Sequence, residues 1–175
     1  SLGDQALNAW FHATVPRSSG FNSLDLAQMK DASTLVTMLL MFIGGGSMST
    51  AGGIKVGTFI IVLLSVISFL RREDEIRVFN HSVSQKTSFK AMAVVSITAA
   101  LIFLGIFSLS LIEPNHQFMD LLFEAISAAC TVGLSRGITG ELQPASLFIL
   151  MLLMFAGSLG PLTLAYLKKK KKKSR

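Results

Sequence analysis

The chain has 175 residues, of which 51% are hydrophobic and only 15% charged, against roughly 25% charged in soluble domains, so the composition is that of a membrane protein. The formal net charge of +6 does not mark a nucleic-acid surface, because twelve of the sixteen Lys and Arg fall in two blocks: Arg71, Arg72, Arg77, Lys86 and Lys90, then residues 168–173 with Arg175. Both blocks follow apolar spans, as cytoplasmic loops do under the positive-inside rule. A single cysteine, Cys130, excludes an intramolecular disulfide, and there is no Cys/His ligand cluster.

Residues 4–14 place Ala6, Leu7, Trp10, Phe11 and Thr14 at helical spacing. A helix of that length is too short to span a bilayer, which takes about 20 residues. With no basic start and with Asp4 inside it, the segment does not read as a signal peptide. Pro16 stops the helix, and residues 15–22 form an extended or turning segment in which Gly20 permits backbone geometry denied to other residues. A short helix followed by an extended segment predicts a re-entrant loop.

Residues 32–70 carry one charge, Lys55. A straight helix of that length, at ~1.5 Å per residue, is nearly twice the ~30 Å hydrocarbon thickness. Either two helices form a hairpin at the glycines Gly44, Gly45, Gly46, Gly52 and Gly53, or one crossing is broken midway. If both basic blocks are cytoplasmic, an even number of crossings separates them, and residues 91–112 and 145–167 supply two. The glycine run is then a break within one crossing, provided the chain begins outside. Backbone freed by such a break cannot face lipid, so it packs in protein or lines an aqueous cavity. Lys55 reads equally as an interfacial anchor or as a buried functional lysine.

Residues 71–90 are polar, with RREDE mixing signs, and read as a cytoplasmic connector. Residues 91–112 are an uncharged span, and Glu113, Pro114, Asn115 and His116 make a turn on the far side. Residues 119–129 form a second short amphipathic helix, followed by the segment 130–136. The last span, 145–167, ends in the basic tail 168–175, which should lie against the anionic inner leaflet.

A constant offset of 113 residues relates the two halves. It brings Gly20 onto Gly133, Met38-Leu39-Leu40-Met41-Phe42 onto the identical Met151-Leu152-Leu153-Met154-Phe155, and Gly44 onto Gly157. The repeating unit is span, re-entrant helix, glycine loop, span, and the first copy lacks its leading span. Repeats of this kind place functional groups on the repeat axis. A short helix ending at that axis presents about half a negative charge there, and a following segment can aim carbonyl oxygens inward to replace the hydration shell of a permeating cation. Two such loops cannot close a ring, so at least two more are required.

The segments PRSSGFNS (16–23), IGGGSMSTAGGIKVGTF (43–59), ACTVGLSRGIT (129–139) and GPLTLA (160–165) resemble the third and fourth repeats of the Trk/Ktr/HKT potassium transporters, nearest to the bacterial Ktr-type, sodium-dependent pore subunit. The resemblance implies an all-α integral membrane fold of membrane-pore-membrane repeats, with re-entrant pore helices and a broken inner helix. On this chain it places a third repeat at 1–70 (pore helix 4–14, filter 15–23, broken inner helix 32–70) and a fourth at 91–167. It implies a potassium filter at Ser18, Ser19, Gly20 and Phe21 and at Thr131, Val132, Gly133 and Leu134. The intramembrane gate would comprise Gly44, Gly45, Gly46, Ser47, Met48, Ser49, Thr50, Ala51, Gly52, Gly53 and Lys55. Potassium is the transported ion, with sodium activating or coupled. The implied partners are the first two repeats or another copy, a second protomer in a homodimer, a cytosolic nucleotide-binding regulatory ring and the lipid of the inner (plasma) membrane, with the C-terminus cytoplasmic.

Two positions depart from the family pattern. Ser158 stands in the last span where the family usually has an arginine, and Arg136 puts a charge beside the fourth filter segment where a neutral residue is commoner. Asn22 and Ser135 read as structural supports, and His12, His81 and His116 as chemically idle. Other classes fail on spacing: a Walker A loop needs Gly-Lys-Ser/Thr, whereas Lys55 stands between Ile54 and Val56. A serine protease within the membrane would need a histidine in a span, and no span contains one. The competing reading is a non-conducting half-protein acting as a membrane scaffold or partner subunit.

Overall fold

The computed structural model describes residues 26–45, 53–71, 76–78 and 81–159, together with Gly3, Asp4, Leu7, Trp10, Phe11, Thr14, Val15 and Gly20. Gly3, Asp4, Leu7, Trp10, Phe11 and Thr14 are helical. A 3-10 turn at Leu26–Gln28 leads into α1 (Asp31–Phe42), followed by α2 (Val56–Leu70), the strands β1 (Ile76–Val78) and β2 (His81–Val83), α3 (Gln85–Ile112), α4 (Phe118–Ala129), a second 3-10 turn at Ile138–Glu141, and α5 (Pro144–Leu159). Among the described residues the regular structure is helical but for the short hairpin and one isolated bridge.

In α1 the buried positions are Thr34, Thr37, Met38 and Met41, one face at helical spacing. The threonines satisfy their hydroxyls within the helix, Thr34 Oγ1 donating to Lys30 O (3.2 Å) and Thr37 Oγ1 to Ser33 O (2.9 Å). The opposite face exposes Leu35, Val36 and Leu39. α2 carries the same pattern further: its buried residues are Ser65 and Ser68, while Ile60, Leu63, Val66, Ile67, Phe69 and Leu70 are exposed. Polar groups inward and apolar groups outward is the arrangement of a helix whose solvent is lipid, where association relies on small residues and hydrogen bonds. Here Ser65 Oγ meets Ser88 Oγ of α3 at 2.6 Å in a buried contact.

α3 is the one helix among the described residues long and apolar enough to cross a membrane; α1, α2 and α5 are shorter apolar helices. It begins at Gln85, six residues before the expected span, because Ser84 O accepts the N–H groups of Thr87 (2.8 Å) and Ser88 (3.3 Å) and starts the helix among polar residues. The connector also contains structure that its polar sequence did not suggest: β1 pairs antiparallel with β2, Ile76 opposite Val83 and Val78 opposite His81. Strands of three residues are too short to leave a legible alternation.

The break between α1 and α2 is parallel in sense. Ile43 and Ile54 form a parallel bridge, with Gly44 N–H donating to Ile54 O (2.9 Å) and Ile54 N–H to Phe42 O (3.3 Å). The two residues flanking the break thus pair in parallel, whereas the arms of a tight hairpin pair antiparallel. The same bonds satisfy backbone groups that the interrupted helix leaves open.

α3, α4 and α5 pack together around Ile106, Leu109, Leu121, Ala125, Leu150 and Leu153. Their approach is close: a methyl group on Gly105 of α3 would stand 2.5 Å from Leu153 Cδ1. α5 opens with Pro144 at its first position, where the missing N–H costs nothing. Its entry is held from another loop by Glu113, whose Oε1 accepts Gln143 N–H (2.7 Å) and Ser146 Oγ (2.8 Å). A carboxylate at a helix N-terminus is favoured by the helix dipole. The second core cluster, which includes Val15, Leu26, Met38, Met41, Phe123, Cys130, Val132 and Leu134, underlies the segment described next.

Candidate ion pathway

The backbone that follows α4 is folded back on the helix that precedes it. Cys130 N–H donates to Ile126 O (2.9 Å), Thr131 N–H to Ala128 O (3.1 Å) and Val132 N–H to Ser127 O (3.0 Å). Ser127 Oγ then accepts Leu134 N–H (3.1 Å) while donating to Leu134 O (2.6 Å). Four N–H groups of residues 130–134 are thereby directed at α4.

Thr131 and Gly133 both have positive φ, 53° and 84°. Threonine is β-branched and rarely adopts that region, so the conformation is imposed by its surroundings. In an ordinary extended strand successive carbonyls point to opposite sides; left-handed residues in alternation turn them to the same side. The consequence is visible at Gly20 (φ 66°), where a methyl group would stand 3.4 Å from Val132 O and 3.6 Å from Gly133 O, two consecutive carbonyls. Reciprocally, a methyl group on Gly133 would stand 3.5 Å from Gly20 Cα. Gly20 and Gly133 are side by side, with the carbonyls of Val132 and Gly133 next to Gly20.

Two further glycines bring helices to this place. At Gly157 of α5 a methyl group would collide with Ala129 O, the last carbonyl of α4, and would stand 3.3 Å from Thr131 Cγ2. At Gly53 (φ 74°), just before α2, a methyl group would stand 3.3 Å from Met41 O and 3.4 Å from Cys130 Cβ. The chain therefore leaves the glycine loop directly against the residue that caps α4.

A buried carboxylate braces the outer side. Glu124 of α4, 5% exposed, accepts Ser135 Oγ (2.5 Å) and Arg136 N–H (3.1 Å) on Oε1 and Thr139 Oγ1 (3.0 Å) on Oε2. Asp120, one turn earlier on α4, faces the Arg136 guanidinium with Nε to Oδ1 at 2.9 Å.

Of the residues singled out from the sequence, Gly20, Thr131, Val132, Gly133 and Leu134 are gathered here. Gly44, Gly45, Gly53 and Lys55 lie at the α1–α2 break, where Lys55 precedes the first turn of α2 and its carbonyl accepts Phe59 N–H (3.0 Å). Ser18, Ser19, Phe21, Gly46, Ser47, Met48, Ser49, Thr50, Ala51, Gly52, Asn22 and the tail 168–175 lie outside the described residues. Ser135 does brace the segment, through Glu124. Sequence reasoning passed over Glu124, Ser127, Asp120 and Thr34. The first and third had a signal, since acidic side chains one turn apart in an otherwise apolar short helix are functional by default at membrane depth. A separate apolar groove of 720 Å³ opens between α1, α3 and α4, lined by Leu35, Met38, Ile102, Phe103, Leu122 and Ile126 among others; without charged side chains it offers an ion nothing.

All 175 residues match the family model described as TrkH, cation transport protein. The chain is 44% identical over 163 residues to Ktr system potassium uptake protein B of Bacillus subtilis, covering 93% of this chain and 36% of that protein. It is 40% identical over 167 residues to the protein of the same name from Vibrio alginolyticus, covering 95% of this chain and 36% of that one. Potassium/sodium uptake protein NtpJ of Enterococcus hirae is 32% identical over 166 residues, 93% of this chain and 37% of that protein. The chain spans about a third of the length of these relatives. It belongs to the TrkH family of cation transport proteins and is a membrane protein.

Proposed function

We propose that this chain supplies two of the four filter segments of a potassium uptake pore. The observation that carries the reading is the apposition of Gly20 and Gly133, with the consecutive carbonyls of Val132 and Gly133 turned toward Gly20. Carbonyls in that arrangement are what dehydrated potassium requires, and the C-terminal end of α4 adds its partial negative charge to the same place. The potassium uptake named for the Bacillus and Vibrio relatives supports the choice of ion; the name of the Enterococcus relative supports sodium as a second, activating or coupled ion.

On this reading Ser18, Ser19, Gly20 and Phe21 form one filter segment and Thr131, Val132, Gly133 and Leu134 the other. Residues 44–53 with Lys55 are the gate below, in contact with the filter through Gly53 and Cys130. The parallel re-entry at Ile43 and Ile54 favours one interrupted crossing over a helical hairpin. The protein sits as a multi-pass protein in the plasma membrane, its basic tail cytoplasmic. Two more filter segments, a second protomer and a cytosolic nucleotide-binding ring complete the assembly.

Potassium uptake in cells lacking their own uptake systems tests this, comparing the chain alone with the chain joined to the two further repeats. Uptake by the completed protein and not by the chain alone supports the reading. A second reading, a non-conducting partner subunit, requires that the completed protein also fail to transport at normal surface level.

A further inference from the structure

Arg136 is bonded across the two halves of the chain. It follows Gly133 by three positions, and its side chain is 8% exposed. Two of its guanidinium nitrogens donate hydrogen bonds to different elements, and the third, Nε, makes an ion pair without hydrogen-bond alignment. Nε faces Asp120 Oδ1 of α4 at 2.9 Å. Nη1 donates to Thr34 Oγ1 of α1 (3.1 Å), a side chain only 1% exposed. Nη2 donates to Ala27 O (3.1 Å), in the 3-10 turn that follows Gly20 by seven positions. Its own N–H is held by Glu124 Oε1. The two cross-repeat bonds bridge sequence separations of 102 and 109 residues.

We propose that Arg136 is a specificity-determining positioning residue, a clamp that fixes the second filter segment against the first through its bonds to Thr34 and Ala27 and thereby sets the preference for potassium over sodium. The inference rests on the filter reading above. A filter that distinguishes two cations of equal charge does so through the spacing and stiffness of its carbonyls, and the spacing between Gly20 and Gly133 is not set by either segment alone. Each segment hangs from its own repeat. Arg136 ties the end of one to the chain just beyond the other, with Asp120 balancing its charge. The planar guanidinium holds its two hydrogen-bond acceptors in fixed directions, which an ammonium cannot.

The test uses the complete transporter at matched surface level, reading apparent KM for potassium and rubidium and inhibition by sodium. Arg136→Gln is expected to lower the potassium-to-sodium preference by about tenfold, the scale of one lost charge-assisted hydrogen bond. Arg136→Lys should fall between it and the parent. Thr34→Val should shift the preference in the same direction by less, and combined with Arg136→Gln it should add nothing, since Arg136→Gln already removes the contact with Thr34. A merely structural arginine would reduce the amount of protein at the surface and leave the preference unchanged. Gly133→Ser serves as the reference. If it alters the preference while Arg136→Gln and Thr34→Val do not, the clamp is refuted and the filter stands. If none of the three alters it, the filter reading fails and the clamp with it. Should Arg136→Gln not reach the surface, an unchanged preference in Thr34→Val and Arg136→Lys refutes the clamp, and a graded loss in both supports it.

Discussion

Gly157 of α5 lies so close to Ala129 that any side chain on it would collide with the Ala129 carbonyl oxygen. That contact joins α5 to the end of α4, the short helix whose terminus supports the carbonyl segment. Gly157→Ala must push α5 away from backbone, not from a pliable side chain. Overpacking of this kind costs about 1–3 kcal/mol. The expected outcome is a large loss of uptake with a lower unfolding temperature in detergent. Gly105→Ala is the comparison: it meets the flexible end of Leu153, and a milder effect on both measurements is expected. Equal effects would mean that the Gly157 contact is nothing special.

Ser127 holds Leu134 through both its N–H and its carbonyl. Ser127→Ala removes the two bonds and leaves buried backbone groups unpaired, at a cost of about 1–3 kcal/mol. The loss falls on the segment 130–134, so ion preference should weaken more than protein yield does. Parental sodium inhibition in the Ser127→Ala protein would contradict this.

Glu113 gives the fold a dependence on acid. The Gln143 N–H bond holds its carboxyl below the ordinary value of 4.5; burial opposes this, and Ser146 and His116 reinforce it. A depressed carboxyl contributes stability that is complete above its unfolded value and is lost as pH falls through the folded one. Unfolding temperature in detergent should therefore drop below about pH 4.5, and Glu113→Gln should be less stable than the parent at neutral pH and flatter across the acid range. Parallel curves for the two proteins would assign the acid sensitivity elsewhere.

Gly53 sits against Cys130, the residue that precedes the carbonyl segment. If residues 44–53 are the gate, deleting residues 47–51 should raise potassium flux at equal surface level. Equal or lower flux removes the gate from the account.

The offset of 113 residues pairs Gly20 with Gly133, and the fold sets them side by side. The same offset could not foretell how two identical stretches diverge. After Phe42 the helix ends and pairs with Ile54, whereas after Phe155 it runs on to Leu159. The difference is local: three consecutive glycines follow Ile43, each costing about 1 kcal/mol in a helix, while Gly157 is followed by Ser158 and Leu159. The start of α3 at Gln85 and the hairpin before it were hidden because polar residues near a membrane surface carry no apolar period. Arg136 was noticed as a misplaced charge, but its partners Thr34 and Ala27 lie more than 100 residues away. Contacts at that separation depend on packing that no spacing in one sequence encodes.

The most direct measurement is ion preference after substitution at the two apposed glycines. Gly20→Ser and Gly133→Ser each add a side chain at positive φ, where L-residues are strained, beside the carbonyls that face Gly20. In the complete transporter, expressed in cells without other potassium uptake, both should reduce potassium and rubidium uptake relative to sodium at unchanged surface level. Parental potassium-to-sodium preference in both variants would contradict the claim that these glycines line the ion path.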